Sequence, residues 1–268
     1  MRRRHGHTFF LATAAHEQQH AQDAKKAQPA PPSARLVQLV AALGNGTGLD
    51  AHACFAERMG RLFDLSDTIA LDAAYKYQSM GPFRPEEGLT ERLRADFNQT
   101  RDTLISGITL SFDPGEAKVK LRLPRTVETP PVFKPYERFY LSHQRQLITA
   151  IQYLRQRLRD GFAAQNHTLA QLAVLDTVFD NTLASYGRYC FAAIPMVLGK
   201  RFRSLWRAHR NQQPEDQPDP ADAWVAPGGW LHQFRQEMQT LLLAELETRL
   251  EPVQGLLDAL NHEEPLPQ

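Results

Sequence analysis

The chain has 268 residues, 42% of them hydrophobic and 23% charged, with a net charge of +1. This admits one large globular domain or two small ones and excludes a fibrous or wholly disordered chain. It also excludes a strong attraction of the whole molecule to nucleic acid or acidic lipid.

The average hides an asymmetry. Residues 134–210 carry 12 basic and 4 acidic side chains, a net of +8, and residues 211–268 carry 2 and 11, a net of −9. Residues 34–133 nearly balance, at 12 against 13. Two cysteines, Cys54 and Cys190, are too few for a disulfide framework or a four-cysteine zinc site. Both lie in apolar helical surroundings and are expected in the core as small hydrophobes, which fits a reducing compartment.

In chain order, Arg2, Arg3 and Arg4 precede a short apolar stretch that includes Thr8 and Thr13, at the lower edge of a secretory h-region. Residues 1–32 are therefore expected to be a disordered tail, with a cleaved signal as the alternative. Ser33 is the expected N-cap of a short helix over residues 34–43, ended by the glycines of 44–48. Residues 50–78 show helical spacing through Phe55, Met59, Leu62, Phe63 and Ile69, closed by Gly81-Pro82. A helix is expected from Thr90 to about Phe112. Its end is ambiguous, because Ile108, Leu110 and Phe112, then Val119, Leu121 and Leu123, alternate around an Asp113-Pro114-Gly115 turn. Helix then loop is favoured over a β-hairpin across 108–123.

The clearest periodicity follows. Tyr140, Gln144, Leu147, Ile151, Leu154 and Leu158 are spaced 4-3-4-3-4, with Arg145, Arg155, Arg157 and Arg159 off the stripe. Thr168 and Gln171 read as a capping box for the next helix. Its stripe runs Leu169, Leu172, Asp176, Phe179, Leu183, Tyr186, Cys190 and Ala193, with Pro195 expected to kink or restart it before about Arg210. Residues 211–227, with four prolines and four acidic residues, read as an extended linker. The last long helix carries Leu231, Phe234, Met238, Leu242, Leu246 and Leu250. Pro252 is expected to end it, with a short helix over 253–260 beyond. Two long striped helices joined by a few residues predict an antiparallel, coiled-coil-like hairpin, to which the C-terminal helix adds a third rod. The expected fold is an all-α helical bundle. It divides into the tail, a helical domain over 33–210, the linker, and C-terminal helices over 228–262 packing on the same bundle. The apolar uncharged run 189–199 is 11 residues and too short to span a membrane.

The chemistry-bearing motifs are weak. His16-Glu17-Gln18-Gln19-His20 matches a zinc-protease helix, but it lies in a polar tail that offers nothing to bury it. The longer form of the motif fails too, with Asp23 where glycine and Lys26 where histidine is needed. Gly44-Asn45-Gly46-Thr47-Gly48 lacks the Lys-Ser/Thr of a phosphate loop and has Leu49 at a third-glycine position. No nucleophile elbow or paired carboxylates are seen. Lys200, Arg201, Arg203, Arg207 and Arg210 form a basic cluster that could grip phosphates, with Trp206 available for stacking. The plainer reading has these cations complement a helix C-terminus and face the acidic C-terminal segment. That segment is expected to dock on the basic hairpin and mask it. Gln144 and Asp176, polar residues within apolar stripes, are expected to be hydrogen-bonded in the core and to fix the register of the two helices.

The run Tyr136-Glu-Arg-Phe-Tyr140 through His143-Gln144-Arg145, then Leu172-Ala-Val-Leu-Asp176, Arg201-Phe202 and the ending Leu242-Leu-Ala-Glu-Leu246 through Arg249-Leu-Glu-Pro252-Val and Gly255-Leu-Leu, resembles an uncharacterised proteobacterial family, domain of unknown function 3348. The resemblance is spread over most of residues 34–260. It implies no known activity, cofactor or catalytic residue. It does imply a setting beside envelope proteins resembling MotA-type channel subunits and OmpA-like peptidoglycan binders, and so a cytoplasmic accessory of an envelope complex. The expected function is a non-enzymatic adaptor or scaffold acting through protein partners, with no cofactor or metal. The alternative is a nucleic-acid-binding protein using residues 134–210.

Overall fold

The computed structural model describes residues 31–44, 65–78, 81–113, 115, 120–124, 130–214 and 219–263. The histidine motif, Cys54, the stripe from Phe55 to Phe63 and most of the glycine-rich turn lie outside the described residues. The elements are α1 (Pro32–Leu43), α2 (Leu65–Tyr75), α3 (Leu89–Phe112), α4 (Lys134–Gln165), α5 (His167–Gln212), α6 (Ala221–Val225) and α7 (Trp230–Glu263). Among the described residues there is no strand, and Ile108–Phe112 is helical, so the hairpin is not formed there.

Several local expectations are corrected. Ser33 is not a cap: Pro32 occupies the first helical turn, where its missing N–H costs nothing. The Ser33 N–H, orphaned at the helix start, instead donates to the Glu251 carboxylate at 2.8 Å. The α5 cap is Asn166, whose side chain accepts from the Leu169 N–H at 2.8 Å. Thr168 is already inside the helix, and Gln171 donates to the Tyr75 carbonyl rather than closing a capping box. Pro195 and Pro252 lie within unbroken helices instead of restarting or ending them.

Asn166 alone joins α4 to α5, which forces an antiparallel hairpin. Arg157–Asp96 with Phe139–Phe112 runs α3 antiparallel to α4, and Arg201–Glu237 with Phe191–Arg249 runs α5 antiparallel to α7. Helices α3, α4, α5 and α7 thus form an up-down-up-down bundle. Its α4–α7 diagonal is closed and α3 does not touch α5. Helix α1 lies antiparallel on α7 through Ser33–Glu251 and Arg35–Glu247, and α2 antiparallel on α5 through Asp67–Thr182 and Tyr75–Gln171.

The acidic C-terminal segment docks by its apolar side. Leu231, Phe234, Met238, Leu241 and Leu242 are 0% exposed, and fully burying such side chains stabilises by about 1.5–3 kcal/mol each. The partly exposed Arg201–Glu237 pair adds about 0–1 kcal/mol, so charge orients α7 more than it holds it. Nor is the connection to α7 merely an extended linker. It carries α6, whose Trp224 is buried and donates to Asp219 at 2.6 Å. Trp224 packs with Trp206 and Trp230 at ring separations of 5.0 and 5.8 Å, which gathers all three tryptophans of the chain into one nest. A side chain at Gly229 would collide with the Trp224 carbonyl, so only glycine permits that approach.

Candidate functional site

The bundle interior holds two polar clusters. The deeper one centres on Glu245 of α7, which is 0% exposed among leucines. Its carboxylate accepts from Tyr140 Oη at 2.9 Å, from Gln144 Nε2 at 3.0 Å and from Arg249 Nε at 2.8 Å. The Arg249 guanidinium lies 3.6 Å from the Phe191 ring centre. Burial, and then the neighbouring carboxylate, raise the Tyr140 hydroxyl well above its ordinary pKa, so it stays a proton donor.

Gln144 has a second task. Pro195 has no N–H to give the carbonyl four residues earlier, which is that of Phe191. The Gln144 Nε2 donates to that carbonyl at 3.1 Å, so one amide serves both the helix interruption and the buried carboxylate. The preceding residue, His143, packs edge-on against Phe139 at 4.7 Å, and its Nε2 is buried without a partner. Burial lowers its pKa to about 4.

The second cluster sits near the α4–α5 turn. Arg155 forks onto Asp176 at 2.5 and 2.8 Å and reaches Asp180 at 2.6 Å. Arg159 bonds Asp176 at 2.7 Å and Asp180 at 2.9 Å. Two arginines against two aspartates close the charge balance across the helix pair. Gln144 and Asp176 are both buried, but they belong to different clusters and do not pair with each other.

Along α5 the inward face changes. Phe179 is exposed, and Cys190 is also exposed rather than in the core; Leu183 and Tyr186 are only half-buried. The core face resumes at Ile194, Leu198, Phe202 and Leu205. In the basic cluster only Arg201 turns inward, with its guanidinium on Glu237 at 2.6 and 2.8 Å. Lys200, Arg203, Arg207 and Arg210 are exposed, so the described part of the docked acidic segment does not mask them. Trp206 is not a free platform either: Trp224, Trp230 and His209 surround its ring within 5.8 Å.

The sequence model of the family described as protein of unknown function (DUF3348) matches residues 22–262. The chain belongs to the DUF3348 family. No curated protein and no solved structure matches it. The His16–His20 motif precedes the part of the chain that matches DUF3348. Among the described residues of this DUF3348 member, no group of three or more His, Cys, Asp or Glu side chains is placed to hold a metal ion. None of the described helices is long and apolar enough to cross a membrane. A shallow cleft between the 81–88 segment and α4 is lined by Arg84, Glu86, Arg92, Arg157 and Asp160. Its charges largely answer one another: Arg92 binds Glu86 at 2.6 Å and lowers that carboxyl's pKa, and Arg157 binds Asp96 at 2.6 Å.

Proposed function

We propose that this protein is a non-enzymatic helical adaptor that works through protein–protein contacts, as a cytoplasmic accessory of an envelope complex. The observation that supports the adaptor reading is the division of charge between inside and outside. Glu245, Asp176 and Asp180 are each saturated by donors from their own bundle, an arrangement that rigidifies helices rather than leaving a group poised for proton transfer. The outward side of α5, in contrast, presents exposed cations on a rod that is roughly 69 Å long at 1.5 Å per residue. The envelope setting rests on the family resemblance.

The test is affinity capture with the full-length native protein, read by mass spectrometry and paired with cell fractionation. Reproducible capture of a defined set of envelope-associated proteins, with the bait in the cytoplasmic fraction, supports the reading. Capture of no protein above background overturns it. A second reading, nucleic-acid binding, draws on the same exposed cations. It requires tight duplex or single-strand binding with a steep salt dependence, because phosphate contacts release counterions.

A further inference from the structure

Resting on the adaptor reading, we propose that the outward row Met196, Lys200, Arg203, Arg207 and Arg210 of α5 is the docking surface for an acidic amphipathic helix of a partner protein.

The spacing is 4-3-4-3, which keeps all five side chains on one side of the helix over a length of roughly 21 Å. All five are exposed, Met196 by 64%. The inward neighbours Leu198, Phe202 and Leu205 are buried, so the helix cannot turn to hide the row. Helix-end electrostatics do not account for it. A terminal dipole acts within the last turn, which covers Arg210, whereas Lys200 and Arg203 lie two or three turns earlier on a helix ending at Gln212.

Two described carboxylates that bond α5 are already committed to other groups. Glu237 holds Arg201, and Asp219 holds His209 at 3.0 Å and the Trp224 indole. Among the described residues no carboxylate pairs with Lys200, Arg203, Arg207 or Arg210, so the row is open to the charge of a partner. A single file of cations headed by an exposed Met suits a partner helix that repeats acids every three or four residues and has an apolar residue at one end. A nucleic acid would favour cations spread over two dimensions and a free aromatic face, and Trp206 is enclosed.

The experiment uses the full-length protein and two synthetic helical peptides of equal length. One carries glutamates at 3-4 spacing with a leucine at one end, and the other has lysines in place of the glutamates. Binding is read by fluorescence anisotropy at two salt concentrations, against wild type and the triple variant Lys200→Glu, Arg203→Glu, Arg207→Glu. The acidic peptide is expected to bind wild type, more weakly at high salt, and to lose at least tenfold in the variant. The lysine peptide is expected to prefer the variant. An unchanged helical circular dichroism signal and Tm in the variant exclude misfolding as the cause.

Equal binding of the acidic peptide to both proteins, or no binding to either, overturns the proposal. Duplex DNA binding wild type more tightly than the acidic peptide overturns it in favour of nucleic acid. The adaptor reading fails separately, when wild-type protein captures no partner. If wild type and variant capture the same partners, the adaptor reading stands and the row is not the docking surface.

Discussion

Glu245 and Asp176 are both buried acids in helical stripes, yet the bundle neutralises them differently. Glu245 has one cation, Arg249, supplied by its own helix four residues on, and takes its remaining donors from the neutral Tyr140 and Gln144. Asp176 shares two arginines with Asp180, so each charge has a second partner close by. The first arrangement is unique at every atom, whereas the second is redundant. Depth follows the same order, with Glu245 closed to solvent and the Asp176 cluster partly open.

The comparison predicts unequal losses. Glu245→Ala takes the acceptor from the buried Tyr140 hydroxyl and the only carboxylate from the mostly buried Arg249, leaving the Gln144 amide only the Phe191 carbonyl, and should cost on the order of 3–5 kcal/mol by denaturant unfolding. A smaller cost there than at Asp176→Ala would reverse the ranking.

The next largest effect is pH-dependent and belongs to His143, the residue before Gln144. His143 has a folded pKa of about 4 against an ordinary 6.5. The unfolded chain therefore takes up a proton first as pH falls. Stability from this residue is intact above about pH 6.5, declines between there and about pH 4, and changes no further below. The loss should reach about 3 kcal/mol, and His143→Leu should flatten that part of the stability–pH curve.

Asp176→Ala follows, at about 2–3 kcal/mol, because Asp180 remains to receive Arg155 and Arg159. Asp176→Ala with Asp180→Ala should cost clearly more than the sum of the two single changes, since each single variant keeps one acceptor. Simple additivity would show that the cluster is not redundant. The smallest effect is on the outward row: Lys200→Ala or Arg203→Ala should move the denaturant midpoint by no more than about 0.5 kcal/mol.

The α4 stripe was readable because its 4-3-4-3-4 spacing carries Tyr140 to Leu158 through five whole turns and back to the same face, and all of it is buried. The same logic failed on α5. A strict 3-4 repeat drifts by about 20° per heptad around a straight helix. Leu169 to Cys190 is three heptads, enough to carry Cys190 off the face that Leu169 buries. The core regains its register at Ile194, four residues on rather than three. Gln144 and Asp176 stood out in sequence as polar breaks in apolar stripes, but their partners did not, because Glu245, Arg155 and Arg159 are distant in the chain or off the stripes. Glu245 left one local trace: Leu241 and Leu242 precede it by four and three residues, and Arg249 follows by four. The inward turn of Arg201, alone among the basic cluster, depends on α7 being in place and had no local signal.

The tryptophan nest makes this protein's intrinsic fluorescence a local gauge. Emission reports only the corner where α5 ends, α6 sits and α7 begins, whereas far-ultraviolet circular dichroism averages over every helix. Unfolding curves from the two signals will superimpose if the C-terminal rod comes away only when the whole bundle melts. A fluorescence transition that precedes the dichroism transition would mean that α6 and the start of α7 can peel from the hairpin while the other helices persist.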